Sequence, residues 1–302
     1  MRRTLTVLTC TFLAFASSAL GQEKAGRRYP PDLPGAKVVT YKTVGDTKLN
    51  LWIYEPEGHK PEDKSPAIVF FFGGGWTGGS PQQFEQQCKH LAGRGMVAMT
   101  ADYRVASRNQ VKAVSCVADA KSAVRYIRQN AARLGIDPSR IAAGGGSAGG
   151  HLAACTAALK GFDEAGEDAS VSSVPNALAL FNPAVVLAAV DGIRELDAAK
   201  VSSFRDKMGT DPKELSPFHH VHRGMPPTII LHGKADSTVP YQTALLFAKA
   251  MTDAGNQCRL VGYEGQAHGF FNYGRGDGTH YQKTLDELDK FLVALGYLPP
   301  AK

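Results

Sequence analysis

Ser147 lies in the segment Ile141-Ala142-Ala143-Gly144-Gly145-Gly146-Ser147-Ala148-Gly149-Gly150-His151. A short apolar run passes into glycines, then serine, then glycines, then a helical pattern. A serine on a sharp strand-to-helix turn has the form of a nucleophile elbow. Side chains next to it would collide with neighbouring backbone, so Gly145 and Gly149 leave the room such a turn needs. The Ser147 Oγ would then project above a sheet at a helix N-terminus, with the Ala148 N–H aimed at a developing oxyanion. A glycine-rich turn can also simply cap a helix or cradle a phosphate. The Gly-Lys-Ser/Thr of a Walker-type loop is absent, and a dinucleotide fingerprint would sit near the first strand of a βαβ unit.

A serine hydroxyl is a poor nucleophile at neutral pH. It needs an imidazole base, and that base needs a carboxylate to hold its tautomer and steady its charge. Leu231-His232-Gly233-Lys234-Ala235-Asp236 is an apolar run entering a loop that carries an acid, and Glu264-Gly265-Gln266-Ala267-His268-Gly269-Phe270 is a second loop after a run, carrying a histidine. The order Ser147, Asp236, His268 assigns nucleophile, acid and base. Acyl transfer also needs backbone donors for the tetrahedral oxygen. Phe70-Phe71-Phe72-Gly73-Gly74-Gly75-Trp76 ends an apolar run in three glycines, so Gly74 and Gly75 N–H groups, with Ala148, are the expected oxyanion hole, and Trp76 is an expected substrate contact.

Other histidines and acids compete for these roles. His219, His220 and His222 cluster without a ligand spacing or a surrounding Cys/Asp/Glu pattern, so no metal is expected and they read as lid or surface. His151, after the elbow, reads as a structural hydrogen-bonding residue, and His232 as packing near the acid loop. Asp253 is an alternative acid, but it falls at a helix end.

The elements that must position these residues alternate. Val38–Val44 and Leu49–Tyr54 form a hairpin across Gly45-Asp46. Strands are expected at Ala67–Phe72, Met96–Ala101, Arg140–Ala143, Ala177–Phe181, Thr228–His232 and Arg259–Tyr263. Helices are expected near 81–94, 111–134, 147–159, 241–254 and 281–295. This alternation predicts an α/β fold: a mostly parallel eight-stranded sheet flanked by helices on both faces, in a single domain over 37–302. Ser147, Asp236 and His268 each follow a strand, at the edge where such sheets place their ligands. The irregular stretches 161–176 and 183–226 are candidates for a small lid or substrate-facing insertion.

Composition agrees with one globular unit: 302 residues, 43% hydrophobic and 21% charged, with 32 glycines and 17 prolines between apolar runs. The net charge is +6, but Lys and Arg are interleaved with Asp and Glu, so no nucleic-acid partner is expected. Residues 1–21 read as a signal peptide, with Arg2 and Arg3 before the apolar Leu5–Leu20 and Ala19-Leu20-Gly21 ahead of the cut. Residues 22–36 read as an extended lead-in. A secreted or periplasmic protein follows, with no stable membrane insertion after cleavage. Cleavage would leave Cys88, Cys116, Cys155 and Cys258. Export allows disulfides. Cys88–Cys116 is the expected pair, each lying on or near a helix that flanks the same strand, with Cys155 a free thiol on a buried helix face.

Taken together, the elbow, the Gly73–Trp76 segment, the Asp236 loop and the His268 loop resemble the bacterial α/β-hydrolase esterases over roughly residues 37–296. The groups most similar are the hormone-sensitive-lipase-like carboxylesterases and the bifunctional carbohydrate esterases that remove acetyl and feruloyl groups from xylan. The resemblance implies a cofactor-free serine esterase acting on a small-molecule or polysaccharide-linked ester. Asp102-Tyr103-Arg104 is also similar to the family pattern, in a structural role. One departure stands out: where the family has His before the three glycines, this chain has Phe72. A peptidase, amidase or long-chain lipase of the same fold is the alternative activity, and a non-catalytic binding protein on this scaffold the alternative class.

Overall fold

The structure, a computed structural model, describes residues 29–190 and 204–300. The expected signal peptide, residues 22–28 of the lead-in, and 191–203 of the second insertion lie outside the described residues.

The sheet has eight strands: β1 (Lys37–Val44), β2 (Thr47–Tyr54), β3 (Ser65–Phe71), β4 (Val97–Ala101), β5 (Ile136–Gly146), β6 (Ala177–Phe181), β7 (Thr228–Gly233) and β8 (Cys258–Tyr263). Their spatial order is β1-β2-β4-β3-β5-β6-β7-β8. The β1–β2 hairpin and the β2–β4 pairing are antiparallel, and the pairings from β4 to β8 are parallel. β3, β4, β6 and β7 are buried along nearly their full length, the pattern of strands covered on both faces. β5 is longer than its apolar stretch predicts. It begins at Ile136, which pairs with Ser65, and so takes in Asp137-Pro138, a dipeptide of loop type.

Alternate residues of each strand feed two cores. On one face Val69, Phe71, Met99 and Ile230 pack against α3 (Ala113–Gln129), α4 (Ala148–Ala158) and α5 (Tyr241–Asp253). On the other Ile68, Phe70, Ala98 and Leu231 pack against α1 (Glu85–Gly93) and α6 (Thr279–Ala294). A single turn, α2 (Ala106–Asn109), follows β4. Every residue of α4 is buried, and its run of alanines and glycines lets it lie close against the sheet. No described helix is long and apolar enough to cross a membrane.

The expected Cys88–Cys116 disulfide is overturned: both are free and buried, as is Cys155. Cys88 on α1 and Cys116 on α3 belong to different cores. The two helices do flank the same strands, but from opposite sides, so the sheet stands between the thiols. Burial pushes the Cys116 thiol up to about 12 and the Cys88 and Cys155 thiols well up too, so they behave as small apolar side chains.

The two irregular stretches differ. Residues 161–176 are fastened to α3, where Asp163 pairs with Lys121 and Arg125 and Glu167 with Arg125, and to the chain beside it, where Glu164 pairs with Lys42 of β1 and Arg104 after β4. The described part of 183–226 borders the elbow. There the Phe218 N–H donates to Val185 O at 2.9 Å, and Phe204 meets the edge of Trp76.

Candidate active site

Ser147 sits between β5 and α4 with φ 54 and ψ −118, a strained conformation for a residue with a Cβ. Its surroundings hold it there. The Ser147 N–H donates to Phe181 O at 2.9 Å, and its carbonyl accepts from His151 N at 3.0 Å. The flanking glycines are required by contact. A Cβ on Gly149 would come within 2.0 Å of Phe71 O, and one on Gly145 within 2.5 Å of Gly149 backbone. A Cβ on Gly146 would strike the Phe271 ring at 2.5 Å.

Three strand ends converge. His268, in the loop after β8, lies with Nε2 2.9 Å from Ser147 Oγ and Nδ1 2.7 Å from Asp236 Oδ2. Asp236 follows β7 and its side chain is fully buried. Its Oδ1 accepts from the N–H groups of Thr238 and Val239 at 2.9 and 2.8 Å, and its Oδ2 accepts from Asn182 Nδ2 at 2.8 Å. Burial pushes this carboxyl up, but the bonds from His232, His268 and Val239 outweigh it and hold Asp236 well below the usual carboxylate range. The acid is therefore an anion throughout the working range and fixes the His268 Nδ1–H tautomer, leaving Nε2 as acceptor toward Ser147.

The Gly73–Trp76 segment faces the serine across a close gap: a Cβ on Gly73 would lie 3.3 Å from Ser147 Cβ. Gly74 and Gly75 take φ +132 and +60, a path barred to most residues. Their N–H groups donate to no acceptor among the described residues, whereas the Gly73 N–H is held by Gln83 Oε1 at 2.6 Å. Ala148 opens α4, so its N–H is one of the helix's unpaired amides. Support for the loop explains how Phe72 replaces a histidine. The Phe72 ring stacks on Tyr103 with centroids 4.1 Å apart, and Tyr103 Oη donates to Phe72 O at 2.6 Å. Tyr103 and its neighbours are structural, as expected: Arg104 clamps Asp119, and Asp102 accepts from the Tyr103 N–H.

Trp76 is more enclosed than a substrate contact suggests. It is 6% exposed, and its indole N–H donates to His151 Nδ1 at 3.1 Å. His151 in turn donates from Nε2 to Leu215 O at 2.7 Å, and burial pushes it down to about 4, so it stays neutral as a structural link. His232 bonds Val239 O of the acid loop at 2.9 Å. Asp253 pairs with Lys249 on its own helix. His219, His220 and His222 engage separate carbonyls of their own stretch. Sequence reasoning missed Asn182, Gln83 and Asn272. Asn182 alone left a signal, a polar residue closing the apolar strand Ala177–Phe181 just ahead of Pro183. A groove of about 880 Å³ opens beside Gly73, lined by Tyr29, Gln82, Gln86, Arg108, Asn272 and Tyr273.

A mostly parallel sheet bearing a serine on a strained elbow, with acid and histidine after its last two strands, is the architecture of the α/β-hydrolase esterases. Comparison with known proteins agrees. The BD-FAE family model matches residues 51–251, and the chain belongs to that family. It is similar to Thermogutta terrifontis esterase 2, solved with propionate bound: 56% identity, 91% of this chain and 100% of that one covered, TM-score 0.86. The same enzyme phosphorylated by paraoxon matches at 55% identity with 91% and 99% covered and a TM-score of 0.84. Carboxylesterase NlhH of Mycobacterium tuberculosis is 29% identical over 288 residues, 89% of this chain and 88% of that one. The protein is a serine ester hydrolase, a carboxylesterase on an α/β-hydrolase fold.

Proposed function

We propose that this enzyme hydrolyses short acyl esters through an acyl-enzyme on Ser147, with His268 as base, Asp236 as its orienting acid, and Gly74, Gly75 and Ala148 N–H groups as the oxyanion hole. The observation that carries the reading is the unbroken chain from Ser147 Oγ to His268 to Asp236, at 2.9 and 2.7 Å. His268 Nε2 takes the hydroxyl proton as Oγ attacks the ester carbonyl, and the backbone donors hold the tetrahedral oxygen. His268 then gives the proton to the departing alcohol. Water, deprotonated by the same nitrogen, releases the acid and restores the serine. Every proton and charge in this sequence has a protein group to hold it, so the reading needs no metal or cofactor.

Propionate bound to the Thermogutta enzyme supports a short acyl group. The amide- and tyrosine-lined groove beside Gly73 supports a polar alcohol portion, and with the family match it favours acetyl or feruloyl groups on plant polysaccharide. Trp76, with its N–H committed to His151, serves substrate binding as the wall behind the oxyanion loop. The leader-like 1–21 supports a secreted or periplasmic enzyme that meets such polymers. The test is labelling of the purified protein with paraoxon or a fluorophosphonate: one label on Ser147, and none on Ser147→Ala. Labelling that survives Ser147→Ala would sink the mechanism. A panel of p-nitrophenyl acetate, butyrate, octanoate and palmitate should show activity falling with chain length, and release of acetate or ferulate from xylan tests the polymer. Hydrolysis of aminoacyl anilides would favour a peptidase instead.

A further inference from the structure

The oxyanion loop and the histidine loop come from opposite ends of the chain, yet their relative position decides whether the donors and the base act on one carbonyl. Two amide side chains join them. Gln83 Oε1 accepts from the Gly73 N–H at 2.6 Å, and Gln83 Nε2 donates to Asn272 Oδ1 at 2.9 Å. Asn272 Nδ2 then donates to Gly269 O at 2.7 Å, one residue beyond His268. Both amides are half-buried in the floor of the groove beside Gly73.

The order of atoms in this line is forced. At one end stands a backbone N–H, which can only donate. At the other stands a backbone carbonyl, which can only accept. Between them each amide must present its oxygen toward Gly73 and its nitrogen toward Gly269. Flipping either one sets two oxygens or two N–H groups face to face. A carboxylate in either place has no donor for its second contact.

The anchors beneath are rigid. Gln83 lies in the 3-10 turn Pro81–Phe84, and Phe84 beside it is fully buried. Asn272 follows Phe271, also buried, and the Phe84 and Phe271 rings stack with centroids 5.9 Å apart. Phe271 in turn lies under Gly146 of the elbow. The pair of aromatic rings thus carries one amide on each side and touches the nucleophile's own turn.

Resting on the acyl-enzyme reading above, we propose that Gln83 and Asn272 are positioning residues: a directional amide strap that sets the oxyanion loop against the histidine loop. Neither residue touches the reacting atoms in this scheme. Each acts through the placement of Gly74, Gly75 and His268. Such placement matters in the transition state more than in the ground state, so it should appear in kcat.

The experiment measures kcat and KM on p-nitrophenyl butyrate for Gln83→Leu, Gln83→Glu, Asn272→Asp and the double variant Gln83→Leu/Asn272→Asp, with thermal midpoints alongside. Each single variant should lower kcat by about tenfold with KM changed by less than about twofold, and the double should be no slower than the worse single, because one break already opens the strap. The rate of labelling by paraoxon should fall in parallel, since the phosphoryl oxygen uses the same donors. Wild-type kcat in any single variant, or losses that multiply in the double variant, would overturn the strap. A loss of thermal midpoint with kcat intact would also overturn it, by showing a structural role only. Ser147→Ala, run in the same assay, separates the two claims: activity retained there defeats the acyl-enzyme reading itself, whereas activity abolished there with unaltered Gln83 variants defeats the strap alone.

Discussion

Asp119 and Asp236 are both carboxylates with fully buried side chains, and both are met by several donors, but the donors differ in kind. Asp119, on α3, is held by Lys42 Nζ at 2.7 Å and by Arg104, whose backbone N–H and guanidinium all reach it at 2.8–2.9 Å. Burial lowers the Arg104 guanidinium, but Asp119 and Glu164 outweigh it and hold that group above its ordinary value. Asp236 has Asn182, two backbone N–H groups and the rings of His232 and His268. The first arrangement neutralises a charge and ties β1, the segment after β4, and the 161–176 stretch onto α3. The second sets a buried negative charge against the Nδ1 side of the ring whose Nε2 meets Ser147, and so holds that ring's orientation. Burial alone does not separate structure from chemistry; what faces the charge does.

Removing each charge in turn separates the two roles. The largest effect is expected for Asp236→Asn, which should lower kcat by about 10⁴-fold, because the amide no longer fixes the histidine tautomer. Steady-state kinetics normalised to the folded fraction would check it, since the amide also gives up donors that the buried anion satisfies. Asp119→Ala should invert the pattern. Leaving Lys42 and Arg104 without their buried partner should cost about 3–5 kcal/mol of stability, with kcat of the folded protein unchanged. Denaturant titration beside active-site counting with a fluorophosphonate measures the two quantities separately. A large kcat loss in Asp119→Ala at full folding would erase the distinction drawn between the two carboxylates.

A third carboxylate, Asp102, sharpens the contrast through pH. Burial pushes it up to about 6, against the lowering effect of the Tyr29 hydroxyl, the Arg108 charge and the Tyr103 N–H. A folded value above the ordinary one means the folded state holds the proton more tightly than the unfolded chain. The contribution is complete below the ordinary carboxylate range and is lost as pH rises through about 6. Asp102→Asn keeps an oxygen that can accept from both Tyr29 and Tyr103, and should remove a pH-dependent loss on the order of 2 kcal/mol between pH 4 and pH 7. The difference between the two unfolding free energies, followed against pH, is the readout. It also cancels His151, whose low value acts in the opposite direction. The smallest effect is expected for Glu167→Gln, which loosens one partly exposed partner of Arg125 while Asp163 remains, and should change stability by less than about 1 kcal/mol.

Much of the site was legible in the sequence because it is built from short local signals. A serine between glycines, three glycines after an apolar run, and an acid and a histidine each just past a strand all announce themselves within about ten residues, and the structure brings them together. The strand pattern was legible for the same reason, since fully buried strands are continuous apolar runs. What escaped depends on contacts between distant positions. Gln83 and Asn272 meet across 189 residues and Asn182 reaches Asp236 across 54, and amides of their type occur on any surface. The cysteine pairing failed for a related reason. Cys88 and Cys116 each sit on a helix beside the sheet, but the side of the sheet a helix takes is decided by topology rather than by the helix. The two long irregular stretches both read as lid candidates; their partners distinguish a brace on α3 from a border of the elbow.

The glycines around Ser147 have a consequence for how this enzyme can change. At Gly145, Gly146 and Gly149 even a methyl group would overlap backbone or the Phe271 ring. Drift and selection therefore have almost no mutational alphabet on that side of the site, and libraries randomised there should return mostly dead clones. New preferences must be written on the opposite bank, where Gln82, Gln86 and the exposed Tyr273 face open groove and can be exchanged freely. The Ser147 turn is the frozen part of the molecule, and the groove beside it is where a lineage of such enzymes can diversify.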